Sequence, residues 1–179
     1  MGQYYKAVNL DKKEWLYSHE YDNGLKLMEH SYIGNKFVQA VENLLIKGGA
    51  WYKNKIVWAG DYADGEEKDK EGENLYSIIG VDNNEIKPKS EELNEKYKYL
   101  CNHTEKMYVD RTKIKEIKGW EGTKINPLPL LTCEGNGRGG GDFRGEDMKI
   151  GLWSRNSISI ESEVPEGYKE INGNFKEDN

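Results

Sequence analysis

Glu134-Gly135-Asn136-Gly137-Arg138-Gly139-Gly140-Gly141-Asp142-Phe143-Arg144-Gly145-Glu146-Asp147 decides between two fold classes. Gly135, Gly137 and Gly140 match the G-x-G-x-x-G of a dinucleotide-binding βαβ unit. That fingerprint requires a strand before it and a helix opening on it. The glycines from Gly141 to Gly145 cannot open a helix, and only 34 residues follow Gly145, so no βαβ unit fits. There is no G-x-x-x-x-G-K-[ST] P-loop either. The doubly wound reading is rejected, and the rest of the chain must carry a different class.

The stretch holds six glycines in the eleven residues from Gly135 to Gly145. Glycine loses the most backbone freedom on folding, so an ordered loop of this kind needs an offsetting gain. One such gain is an anion-binding nest of backbone N–H groups at Gly139, Gly140 and Gly141. Arg138 and Arg144 add forks for phosphate or carboxylate. Asp142 can take a hydroxyl, and Phe143 can stack against a ring. The competing reading is a glycine-rich surface loop without a ligand.

Working outward, Leu128-Pro129-Leu130-Leu131-Thr132-Cys133 leads into the stretch. Pro129 within it and Pro127 just before it make it an edge or irregular strand. Residues 150–153 and 157–161 read as the last strands; in the latter, Ser157, Ser159 and Glu161 alternate with Ile158 and Ile160, the pattern of a half-buried strand. Residues 3–10 and 14–17 read as a hairpin, 55–59 as a buried strand and 75–81 as another. Residues 97–101 and 107–110 pair as a hairpin around His103, which is read as an exposed turn residue. Residues 25–30 fit a short helix or a strand, and 88–94 a short helix with Ser90 as its cap. Between Asn35 and Gly48, Phe37, Val38, Val41, Leu44 and Leu45 recur at helical spacing, which predicts the one main helix over 36–47. The expected fold is α+β, a mostly antiparallel sheet with that helix and a long glycine-rich loop over 134–147, in a single domain over 1–179.

The net charge is −6, which argues against non-specific nucleic-acid binding, because that needs a basic footprint. The charge is uneven. Residues 61–73 carry seven acids and two lysines, read as an acidic loop and as the segment best suited to flexibility. From Lys106 to Lys124 there are five lysines and Arg111 against three acids, read as a solvated basic strand face. Cys101 and Cys133 have no metal or redox spacing and are expected to be free thiols in a reducing compartment. The opening MGQYYKAVNLDKKEW has no apolar h-region, and no run is long enough to cross a membrane, so a cytoplasmic protein is expected. No cofactor and no metal is implied, and homo-oligomerisation is left open.

Several segments together are similar to a family of small uncharacterised proteins of bacteriophages and prophages. They are MGQYYKAV, YDNGLKLMEHSYIGN, VWAGDYAD, NHT, LPLLTCEGNGRGGGDFRGED and EVPEGY. The resemblance spans nearly the whole chain and carries no activity with it. It implies a phage-encoded intracellular protein. Small accessory phage proteins often act against host defence, some by sequestering or degrading nucleotide second messengers.

Three functions follow as expectations. The first is sequestration of a small phosphorylated, nucleotide-like ligand in an anti-defence role, with Arg138 and Arg144 on the phosphates. The second is an enzyme degrading a nucleotide or nucleic acid, with His19, His30, Glu29 or Asp61 as acid/base groups or metal ligands. It ranks below binding, because a lone histidine is more often a hydrogen-bonded structural residue. The third is inhibition of a host factor through an acidic, aromatic surface.

Overall fold

The computed structural model describes residues 3–63, 75–79, 84–135, 143–145 and 149–177. Its strands in chain order are β1 (Tyr5–Asn9), β2 (Glu14–Leu16), β3 (Lys55–Gly60), β4 (Asn84–Glu85), β5 (Tyr99–Asn102), β6 (Met107–Asp110), β7 (Glu116–Ile117), β8 (Trp120–Lys124), β9 (Cys133–Glu134), β10 (Phe143–Gly145), β11 (Asn156–Glu161), β12 (Lys169–Glu170) and β13 (Phe175–Glu177). The helices are α1 (Leu27–His30), α2 (Lys36–Leu45), α3 (Leu75–Ile78) and α4 (Pro127–Thr132). Nine strands form one sheet in the order β12-β6-β5-β11-β3-β1-β2-β4, with β9 also on β3. Two small ribbons, β7–β8 and β10–β13, stand apart from it.

Helix α2 starts where Asn35 accepts hydrogen bonds from the N–H groups of Phe37 and Val38, which would otherwise lack partners at a helix start. Its stripe of Phe37, Val38, Val41, Leu44 and Leu45 is buried. It packs in one core with Trp58, Leu100, Ile158 and Ile160 from the sheet. Each such side chain contributes about 1.5–3 kcal/mol by leaving water. The opposite face of the sheet carries a smaller cluster of Val8, Val57, Ala59, Leu75 and Ile79. No helix among the described residues is long and apolar enough to cross a membrane.

The expected fold class needs correction. There are four α-helices among the described residues rather than one main helix, and the sheet is mixed. Strand pairs β3–β9, β2–β4 and β6–β12 are parallel. Each joins segments far apart in the chain, so no local alternation announces it. The 134–147 loop is also revised. Cys133–Glu134 and Phe143–Gly145 are strands, while residues 136–142 and 146–148 lie outside the described residues.

The 128–133 segment is helix α4 rather than an edge strand. Pro127 takes the first helical position, where no N–H donor is needed. Asn126 caps it by accepting from Leu128 N–H at 3.0 Å, and Thr132 Oγ1 donates to Leu128 O at 2.7 Å. The prolines therefore start a helix instead of weakening a strand. The 75–81 segment opens as α3, because Leu75 and Ile79 at helical spacing pack against Val8, Val57 and Ala59. Residues 88–94 form no helix: Ser90 Oγ donates to Lys36 O at 2.5 Å instead of capping its own segment. Residues 150–153 form turns, with Trp153 fully buried.

Candidate functional site

The expected acid/base residues do not converge. His30 is completely buried. Its Nε2 takes a hydrogen bond from Trp58 Nε1 at 3.0 Å, and its Nδ1 lies 2.9 Å from Gly24 O. Indole nitrogen only donates, so Nε2 must be bare and Nδ1 must carry the proton given to Gly24. A second proton would face the indole N–H. Burial accordingly pushes the His30 pKa down to about 4, against the opposing influence of Gly24 O and Glu29. Glu29 Oε2 accepts from Lys26 N–H at 3.0 Å, within the first turn of its own helix. Asp61 Oδ1 accepts from Tyr4 N–H at 2.9 Å. His19 is exposed and sits edge-on to Tyr17 at 5.0 Å.

Of the expected loop residues, Arg138, Gly139, Gly140, Gly141 and Asp142 lie outside the described residues. Phe143 is 1% exposed and packs edge-on to Tyr32 in the main core. Arg144 stands opposite Lys176 in the β10–β13 register. The stretch begins from a fixed point: Arg155 grips Glu134 through Nε at 2.5 Å and Nη2 at 2.7 Å, and Ser154 Oγ adds a third contact at 2.6 Å.

A different place has the shape of a binding site. A cleft of about 620 Å³ opens between the β7–β8 ribbon and the C-terminal segment. This volume is in the range of small-molecule sites, about 300–1,000 Å³. Ile117, Ile125 and Phe175 supply apolar lining, and Ile125 and Phe175 are buried. Trp120 stands at the cleft with 55% of its surface exposed. Among the described residues of its lining, Lys115, Lys118 and Lys176 bring positive charge, against one acid, Glu116. Asn174 joins the two walls: its Oδ1 accepts from Lys115 N–H at 2.8 Å.

This cleft was hidden in the sequence as part of the basic strand face. The available signal was a tryptophan set among lysines, beside isoleucines at 114, 117 and 125. What could not be read was the opposite wall, supplied from residues 172–176.

A second polar group surrounds His103, which sits in the turn between β5 and β6 as expected but is half-buried rather than exposed. The ring lies 2.7 Å from Tyr168 Oη through Nδ1 and 2.6 Å from Ser159 Oγ through Nε2. Ser159 is completely buried even though it alternates with the core isoleucines, because this face of β11 is covered too. Ser159 also donates to Glu161 Oε2, and Tyr52 Oη donates to Glu161 Oε1 at 3.0 Å. Burial pushes the neighbouring Cys101 thiol up to about 12, so it is no nucleophile at neutral pH. Burial has the same effect on Cys133, also to about 12.

Comparison of the chain with protein-family models, with curated proteins and with solved structures finds no match. The expected phage origin, anti-defence role and nucleotide binding therefore find no support and are withdrawn. The α+β class is what remains of that set.

Proposed function

We propose that this protein binds a small organic anion, carrying a carboxylate or phosphate on an apolar body, in the cleft beside Trp120. The observation that carries this reading is an indole 55% exposed next to three lysines, in a chain whose net charge is −6. Small-molecule sites are concave, with apolar and aromatic lining and a few placed polar or charged groups, and the cleft has each of these. The local charge runs opposite to that of the whole chain, which selects for an anionic group.

The balance of terms sets the expected affinity. Lys115, Lys118 and Lys176 are exposed, so each ion pair contributes on the order of 0–1 kcal/mol. Stacking on an aromatic side chain contributes about 1–3 kcal/mol. The apolar body therefore carries at least as much of the binding as the charge does.

The test is titration of phenyl phosphate, benzoate and inorganic phosphate, followed by tryptophan emission. Trp51, Trp58 and Trp153 are fully buried and Trp15 is half-buried, so the emission change is assigned to Trp120 by its loss in Trp120→Ala. Phenyl phosphate and benzoate are expected to bind more tightly than inorganic phosphate and to weaken with salt. An equal, weak response to all three overturns the reading.

A further inference from the structure

Tyr168, His103, Ser159, Glu161 and Tyr52 form one hydrogen-bonded string drawn from four separate segments. Its direction follows from what each group can do. The Glu161 carboxylate only accepts, from Tyr52 on one oxygen and from Ser159 on the other. Ser159 has one proton and spends it on Glu161. Its oxygen must then accept from His103 Nε2–H. That leaves Nδ1 bare, and it accepts the Tyr168 hydroxyl. The whole string therefore runs in one sense with a neutral imidazole.

A second proton on His103 has only one place to go. It lands on Nδ1, facing the Tyr168 oxygen, and the tyrosine must turn its own hydrogen away. The charged and titratable groups nearby are Lys53 from the turn after α2, Glu161 on β11, Cys101 on β5, and the two tyrosines. Burial and then Lys53 oppose the imidazolium, while Glu161 favours it. The net direction is below the ordinary histidine value.

Tyr168 is also the entry to the segment that walls the cleft. After it, β12 is only two residues long and both are exposed. It is attached by Lys169 N–H to Lys106 O at 3.0 Å, by Ile171 N–H to Tyr108 O at 2.9 Å and by the exposed ion pair of Lys113 Nζ with Glu170 at 2.7 Å. Beyond these, Asn172, Asn174, Phe175 and Lys176 line the cleft. Lys149 Nζ holds Asn172 O at 2.8 Å, so the far end has its own anchor.

We infer that His103 and Tyr168 form a proton-operated latch on the C-terminal wall of the cleft. Neutral His103 holds the entry of the segment against β11, and protonation frees residues 168–171. The consequence for ligand affinity rests on the cleft reading above; the latch itself does not.

The test is amide hydrogen exchange of the full chain at pH 7.5 and pH 5.5, corrected for intrinsic rates. The amides of Lys169 and Ile171 are expected to lose about tenfold in protection at the lower pH, while those of β1 and β3 keep theirs. In His103→Gln the protection of Lys169 and Ile171 should not depend on pH. In Tyr168→Phe it should be low already at pH 7.5, with β1 and β3 intact. Unchanged exchange in the wild type, or a fall in His103→Gln equal to that of the wild type, overturns the latch. Titrating benzoate, whose carboxylate stays ionised at both pH values, separates the two readings. Tenfold or weaker loss of affinity at pH 5.5 accompanied by the exchange change supports their coupling. Failure to bind at either pH overturns the cleft reading, while the exchange data still decide the latch.

Discussion

Trp58 Nε1 donates a hydrogen bond to His30 Nε2 at 3.0 Å inside the main core. The pair ties helix α1 to the central strand β3 and fixes the imidazole in its neutral form. Phe37 from α2 closes the site, with its ring 5.0 Å from His30 and 5.4 Å from Trp58.

Acid should therefore weaken the fold before most carboxylates titrate. The folded-state pKa of His30 is lowered to about 4, from 6.5. The unfolded chain takes up the proton first, so stability is complete above about pH 6.5 and is lost as pH falls towards 4. The full loss is about 3 kcal/mol. Urea denaturation at pH 7.5, 6 and 5 measures it. His30→Gln, which can still donate to Gly24 O and accept from Trp58, should start less stable but show a flatter slope over that range. An equal slope in both proteins would place the pH dependence elsewhere.

Glu42 on α2 is 2% exposed and paired with Arg111, and Asn126 Nδ2 lies 3.5 Å from the same carboxylate. Burial pushes its pKa up, against the pull of Arg111 and Asn126. Arg111→Met strands that buried acid and should cost about 3–5 kcal/mol. Glu42→Gln keeps hydrogen-bonding atoms without the charge and should cost clearly less. Chemical denaturation of the two variants gives the order, and the reverse order refutes the assignment.

Gly60 ends β3 where β9 comes alongside. A Cβ there would sit 2.5 Å from Glu134 O and 3.0 Å from the Tyr5 ring. Gly60→Ala should push β9 away from β3 and destabilise the protein by about 1–3 kcal/mol. Ala at Gly34, where no atom lies within 4 Å of a Cβ but φ is +92°, reports the cost of backbone strain alone. Thermal melting compares the two, and amide exchange of β9 should change only in Gly60→Ala.

Trp120→Ala should reduce phenyl phosphate affinity about tenfold or more, the weight of a lost stacking contact. The melting temperature of the free protein should barely move, because the indole is mostly exposed. Asn174→Leu should also weaken binding, by freeing one wall from Lys115. Isothermal titration with both variants checks this. Retained affinity in Trp120→Ala removes the indole from the site.

The elements legible in the sequence are those whose signals are local. Helix α2 has its cap at Asn35 and its apolar stripe within one short run. The β1–β2 and β5–β6 hairpins join neighbouring strands, so alternation and turn residues suffice. The α4 segment reads as an edge strand because two prolines weaken a strand and also suit a helix start. Only the burial of all six residues, together with the Asn126 cap, distinguishes the two.

The glycine-rich stretch drew attention by composition, yet composition could not indicate that Phe143 would be core or that Glu134 would be locked by Arg155. What the residue order announces is the mixture of helices and antiparallel strands, helix α2 and the two local hairpins. These depend on periodicity and capping between residues a few positions apart. Tertiary structure alone decided the parallel pairs, the neutral core histidine, the His103 string and the Trp120 cleft. Each of these brings together residues from distant segments, and their chemistry comes from who their neighbours are and whether water reaches them.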